Sequence, residues 1–170
     1  ILDASRIERA QANNMIFIDG SSHVKVEGVV LRDAHIWALM VHNSTHTEIN
    51  NVKLVGHWRY NADGIDIVNS SYASIRNSFV RAFDDCIVLK GTTPSNSVMK
   101  EVLMDSCVLW NDWGRAIEIG AETAIDSISN IVFQNSDIIH YVHIAMDIQN
   151  GDRAHISNVR FDNIQVEGPL

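Results

Sequence analysis

A short phrase returns six times along this chain: an aliphatic residue, any residue, a small or polar residue that is often Asn, then more apolar residues. It reads V-E-G-V-V-L from Val26, I-N-N-V-K-L from Ile49 and I-R-N-S-F-V from Ile75. It returns as L-M-D-S-C-V from Leu103, I-S-N-I-V-F from Ile128 and I-S-N-V-R-F from Ile156. Successive starts lie 23, 26, 28, 25 and 28 residues apart. A period of that length is too short for a domain. It marks a solenoid, in which each repeat buries its apolar face only by stacking on its neighbours. Equivalent positions then line up in columns, and chemistry can be read column by column.

The local pattern within each repeat is strand. Segments such as H-V-K-V (His23 to Val26), I-D-I-V (Ile65 to Val68), I-E-I-G (Ile117 to Gly120) and M-D-I-Q (Met146 to Gln149) alternate apolar and polar residues. They are rich in Val and Ile and are bounded by Asn, Ser, Gly and Asp. No dozen residues hold a helical period. The clearest loop is Gly91 to Asn96 (G-T-T-P-S-N). Two or three strands per repeat of about 25 residues, without helices, predict an all-β fold: a right-handed parallel β-helix of about six turns. Leucine-rich repeats share the period but need a Leu-x-x-Leu-x-Leu phrase that is absent here. The Asn residues near the bends, Asn50, Asn51, Asn77, Asn130 and Asn158, suggest side-chain stacking at a bend between strands, with the plainer reading that they satisfy turn backbone groups.

Length and charge narrow the function. The 170 residues suffice for one domain, read as 1–170, with a real core. The chain carries neither an initiator Met nor polar caps, so it reads as a segment of a longer helix. A net charge of −8 argues against nucleic acid or an anionic membrane as partner, and no apolar run is long enough to span a bilayer. Cys86 and Cys107 sit in apolar runs and read as buried free thiols, with a single disulfide as the alternative. The histidines scatter without metal-ligand spacing, so neither metal nor cofactor is expected. Oligomeric state leaves no trace in the sequence.

A second strand group lies earlier in each repeat, and period-two alternation fixes its faces. Ile65 and Ile67, Ile87 and Leu89, Ile117 and Ile119, and Met146 and Ile148 should point inward; Asp66, Val88, Glu118 and Asp147 should point outward. Just before these strands stand N-A-D-G (Asn61 to Gly64), F-D-D-C (Phe83 to Cys86), W-G-R-A (Trp113 to Ala116) and Y-V-H-I (Tyr141 to Ile144). Adjacent turns of a parallel sheet lie ~4.8 Å apart, so Asp63, then Asp84 or Asp85, then Arg115, then His143 are expected in one column. Carboxylates that close raise one another's pKa, a penalty a purely structural solenoid would avoid. Paired carboxyls with separated pKa values suit glycoside hydrolysis, where one delivers a proton to the leaving oxygen and another activates water or attacks the sugar.

The pair N-A-D-G-I-D and, with its first Asp 21 residues after Asp63, D-D-C-I-V-L-K resembles the N-T-D-G-I-D and D-D-C-I-A-I-K motifs of the polygalacturonase family of glycoside hydrolases. R-A-I-E-I-G resembles that family's H-G-I-S-I-G segment. The likeness covers Trp58 to Gly120, and the repeat rhythm extends it. It implies a parallel β-helix enzyme, extracellular or periplasmic, with Asp63, Asp84 and Asp85 as catalytic aspartates. The family inverts, so the resemblance implies one protonated Asp, Asp84 by preference, and an ionised pair, Asp63 and Asp85, holding a water.

Two departures bear on substrate. Arg115 stands where the family has His, and A-M-D-I-Q-N-G replaces the R-I-K segment that grips a substrate carboxylate, with Asp147 near its Lys and Arg153 displaced. An acidic chain without that clamp is expected to take a neutral or mixed glycan rather than pectate. Candidate substrate-binding residues are Asn61, Lys90, Trp113, Arg115, Glu118, His143 and Asp147. Four of them have a plainer reading: Lys90 paired to an outward carboxylate, Arg115 paired to Asp112 or Glu118, Glu118 a solvated strand residue, His143 a polar neighbour. Trp58, Tyr60, Trp110 and Trp113 offer rings that could stack on sugars or simply cover loops. A non-catalytic glycan-binding or tailspike-like β-helix and a polysaccharide lyase are the competing functions.

Overall fold

The computed structural model describes residues 1–8, 11, 13–92 and 97–168. The loop expected at Gly91 to Asn96 falls mostly outside them: Gly91 ends strand Ile87–Gly91, and 93–96 are not described. The described residues form a parallel β-helix of about six turns. One face stacks strands Ile16–Asp19, Leu39–His42, Ile65–Val68, Ile87–Gly91, Arg115–Thr123 and Ile144–Ile148 into a six-stranded sheet. The other two faces join into one eleven-stranded sheet, because the long strand Ser127–His140 pairs with both Val98–Asp105 and Val108–Asn111.

On the six-stranded face the alternation sets the register as expected. Leu39, Ile65, Ile87, Ile117 and Met146 stack inward, and Met40, Asp66, Val88, Glu118 and Asp147 stack outward. The inward residues Leu39, Ile65, Ile87 and Ile117 are fully buried, each worth about 1.5–3 kcal/mol in apolar burial. Met146 and Ile148 keep the inward parity but are 37% and 44% exposed, since among the described residues no strand stacks beyond them.

The six phrases are not in one register throughout. Val26, Ile49 and Ile75 stack as expected, but the column continues through Met104, Phe133 and Phe161. Leu103 lies beside Ser74, on the outward parity, and Ile128 and Ile156 stack on Met99. The cause is that two left-handed bends flank this column in each turn, besides a third at Gly20, Asn43 and Asn69. One is occupied by His23, His46, Tyr72, Glu101, Asn130 and Asn158, with φ between 51° and 57°. The other is occupied by Gly28, Asn51, Asn77, Ser106, Asn135 and Asn163. Asn tolerates positive φ at either, so the phrase locks onto the second bend in the first three repeats and onto the first at Asn130 and Asn158, while the Leu103 phrase is out of phase with both, its Asp105 one residue short of Ser106. Side-chain ladders knit the bends together. Asn77 Nδ2 donates to Asn50 Oδ1 at 2.8 Å, and Asn158 Nδ2 to Asn130 Oδ1 at 2.6 Å. The rings of His23, His46 and Tyr72 stack at 4.8 Å.

Candidate active site

The cavity on the six-stranded face begins where chain enters strands Ile65–Val68, Ile87–Gly91 and Arg115–Thr123. It measures about 220 Å³ and is lined by Asn61, Asp63, Asp84, Asp85, Lys90, Arg115, Glu118, Ala121, Glu122 and Gln149. Extending the pairings of Ile65 with Ile87 and of Ile87 with Ile117 backward puts Asp63, Asp85 and Arg115 at one rank. The backbone bond from Gly64 N to Asp85 O, 2.8 Å, and that from Cys86 N to Arg115 O, 2.9 Å, hold this rank together. Glycine is required beside the carboxylates. A Cβ at Gly114 would lie 2.6 Å from Asp84 Oδ1 and 2.8 Å from Asp85 Oδ1, so both side chains fold over the bare backbone there.

Seven of the ten residues singled out from sequence line this cavity, and three do not. His143 is one position out of the expected column: Arg115 pairs with Ile144, which places His143 level with Gly114 and Asp84. Its ring instead packs on Trp113 at 5.5 Å. Trp113 also packs on Phe83 at 5.7 Å and Tyr60 at 5.4 Å, so these rings form an aromatic cluster rather than the cavity wall. Asp147 meets the site through Arg115, whose Nε lies 3.4 Å from its Oδ2. Asp112 is taken by Arg81 at 2.9 Å, so it is not the partner of Arg115. Trp110 packs on His140 and Arg81, away from the cavity. Arg153 bonds Asp126 at 2.6 Å and does not replace the missing clamp.

Lys90 takes the plainer of its two readings. Its side chain is 6% exposed, with Nζ 2.9 Å from Asp63 Oδ2, 3.3 Å from Asp66 Oδ1 and 3.8 Å from the Trp37 ring centroid. Asp66, outward in parity, is therefore fully buried rather than solvated. Burial pushes Asp63 up to about 7, with Lys90 opposing and Asp85 adding to the rise. Burial, then the Asp63 charge, pushes Asp66 well above the usual carboxylate range. Half-buried Asp84 is raised by burial and by neighbouring Asp85. Glu118, 2% exposed, is pushed up to about 8 by burial and then by its hydrogen bond and charge repulsion with Asp85. Asp85 Oδ1 accepts the backbone N–H of Arg115 at 2.9 Å. Five carboxyls thus face two cations around one cavity, and they cannot all ionise at neutral pH.

Sequence reading missed Glu122 and Gln149. Gln149 lies just past strand Ile144–Ile148, where its Oε1 accepts from Arg115 Nη2 at 3.2 Å. Glu122 follows a register shift between Leu89 and Gly91 against Arg115–Thr123, an irregularity no alternation rule reveals. Both cysteines are buried and free, with thiols pushed up to about 12 for Cys86 and about 11 for Cys107 by burial.

Comparison with known proteins identifies relatives of this chain. The chain is 24% identical over 165 residues to a probable endopolygalacturonase D of Aspergillus flavus, covering 94% of this chain and 30% of that protein. It is 24% identical over 174 residues to a dextranase of an Arthrobacter species, covering 88% and 25% respectively. It thus spans under a third of the length of these relatives. A hyperthermoactive exopolygalacturonase from Thermotoga maritima has the same fold, with a TM-score of 0.70 at 18% identity over 84% of this chain and 36% of that one. The profile of glycosyl hydrolases family 28 matches residues 3–169, and the chain belongs to that family.

Proposed function

We propose that the protein hydrolyses a glycosidic bond with inversion, using Asp84 as general acid and Asp63 with Asp85 to activate water. The convergence of all three carboxyls on one cavity carries this reading. Asp84 suits the acid: it is the most open of the three and retains its proton above the ordinary range. Asp63 Oδ1 has no hydrogen-bond partner among the described residues, while Oδ2 is fixed by Lys90. A lone pair without a partner on a fixed carboxyl suits a group that takes a proton from water once it ionises, above about pH 7. Asp85, held by the Arg115 N–H, is oriented to share that water. Arg115 would bond a sugar hydroxyl or carboxylate, and Asn61 and Gln149 would supply further polar contacts. A non-catalytic β-helix does not call for this raised-pKa cluster, and family membership disfavours a lyase.

The substrate we propose is a pectin-type glycan containing galacturonic acid, the polymer class named for the polygalacturonase relatives and neighbour. A neutral or mixed glycan is the second reading. It is favoured by Asp147 and Gln149 drawing on Arg115, the cavity's other cation beside buried Lys90, and by the dextranase relative. Polymers of this size do not enter cells, which supports an extracellular or periplasmic site of action. Release of reducing ends from polygalacturonate, rhamnogalacturonan and dextran tests the proposal. Release from a galacturonate-containing polymer is expected. Release from dextran alone selects the second reading, and none from any polymer contradicts hydrolysis.

A further inference from the structure

Asn111 does not line the cavity, yet it is fully buried among the segments that carry the acids. It ends strand Val108–Asn111, opposite Ala82 at the end of strand Phe79–Ala82. Beyond these strand ends the chain runs through Phe83 to Asp85 and through Asp112 to Arg115. Backbone bonds join the two segments: Asp112 N donates to Ala82 O at 2.9 Å, and Gly114 N to Phe83 O at 3.0 Å. Asn111 Nδ2 adds a bond to each segment, to Asp84 O at 2.6 Å and to Arg115 O at 3.2 Å. Turned over, the amide would set its oxygen against two carbonyl oxygens, so the donor orientation is the one that bonds. Asn111 Oδ1 is also buried and has no hydrogen-bond partner among the described residues. A buried oxygen left unpaired is destabilising. A side chain that only filled this space would do better as Leu, so the amide is there for its donor.

What that donor holds is the peptide between two acids. The Asp84 carbonyl lies in the planar unit that joins Asp84 to Asp85. Its direction sets ψ of Asp84 and φ of Asp85, and with them the directions in which both side chains leave the backbone. The second bond reaches the same place from the next turn. The Arg115 carbonyl also accepts Cys86 N at 2.9 Å, and the Arg115 N–H donates to Asp85 Oδ1 at 2.9 Å. We propose that Asn111 is a positioning residue that fixes the peptide between Asp84 and Asp85 and so aims both carboxyls into the cavity. The inference rests on the reading of Asp84 as general acid and Asp85 as one of the water-activating pair. Asn111 acts through them, from behind the cavity.

Kinetics on three variants separate positioning from plain stability. Asn111→Ala removes the donor, and Asn111→Leu removes it while keeping the volume. Ser136→Ala is the control: Ser136 is 2% exposed and its Oγ likewise joins two turns, accepting from Cys107 N at 2.9 Å and donating to Gln134 O at 2.7 Å, but in the eleven-stranded sheet. On the best substrate, well below the melting temperature, both Asn111 variants should lose roughly tenfold to a hundredfold in kcat with little change in KM, as misaimed acids imply. Ser136→Ala should lose thermal stability and keep its kcat. Wild-type kcat in Asn111→Leu, or an equal fall in kcat in Ser136→Ala, overturns the proposal. A second measurement needs neither substrate nor a folded variant. In the wild type, the side-chain amide protons of Asn111, followed by NMR, should exchange with solvent at least about a hundredfold more slowly than those of exposed Asn51. Equal exchange overturns the proposal even if the enzyme turns over. Protected Asn111 protons in a protein that hydrolyses nothing leave the staple standing and remove the hydrolase reading instead.

Discussion

At the bends, Asn77 donates to Asn50, Asn158 to Asn130 and Asn163 to Asn135, at 2.6–3.0 Å. On the cavity face, the same stacking brings Asp63, Asp84, Asp85 and Glu118 around one space. Both regions place like beside like, turn after turn. An amide is donor and acceptor at once, so an Asn column satisfies itself and offsets the strain of positive φ. An ionised carboxylate only accepts, so an acidic column is unfavourable until protons or cations enter it. The fold repeats whatever it is given; the side-chain chemistry decides whether repetition stabilises or stores reactivity. In this molecule Lys90 and retained protons make the acidic column tolerable, and a retained proton is what an acid catalyst delivers.

The largest effect should come from removing the catalytic proton. Asp84→Asn is expected to lower kcat by about a thousandfold, with the thermal midpoint near that of the wild type; reducing-end assays and thermal melts check both. Second, Lys90→Met should destabilise the fold by about 3 kcal/mol, because Asp63 and Asp66 lose their buried partner. Adding Asp66→Asn to that variant should recover part of the loss. Denaturant midpoints report this, and a Lys90→Met protein as stable as the wild type would show that the cation is not what tolerates the acids.

Third, stability should fall as pH rises from about 4 to about 8. Asp63 and Glu118 keep their protons in the folded chain up to about 7 and about 8, whereas the unfolded chain releases them near 3.8 and 4.5. Within that window the unfolded state binds fewer protons, so rising pH favours it. Glu118→Gln should flatten the trend; a wild-type melting temperature that climbs over this range would contradict the raised values. Smallest, Asn77→Ala should cost about 1 kcal/mol through the lost ladder bond and a strained φ of 51°, with kcat unaffected.

Much of this contrast could be read from the sequence, because period-two alternation carries face information without coordinates. It put Asp66, Glu118 and Asp147 outward and Ile65, Ile87 and Ile117 inward. Local motifs brought Asp63, Asp84 and Asp85 to one cavity. Register across turns was harder. Asn marks two different bends, which takes Ile128 and Ile156 out of register with the earlier phrases, and the Leu103 phrase, with Asp105 in place of Asn, sits one residue short of its bend at Ser106. His143 missed its column by one residue for a related reason: turn length before the strand is not set by alternation. The partners of Lys90 depend on where a long flexible side chain comes to rest, which is decided by packing against Trp37. Glu122 arrived through a register shift, which leaves no periodic trace.

The central claim is that the clustered acids hydrolyse a glycosidic bond by direct attack of water. Proton NMR of the first reducing ends released, recorded before mutarotation equilibrates them, reads the chemistry at the cleaved carbon. The account predicts the anomer opposite to that of the cleaved bond. Initial release of the anomer with the original configuration would mean a carboxylate attacks the sugar itself, and the roles given to Asp63, Asp84 and Asp85 would be wrong.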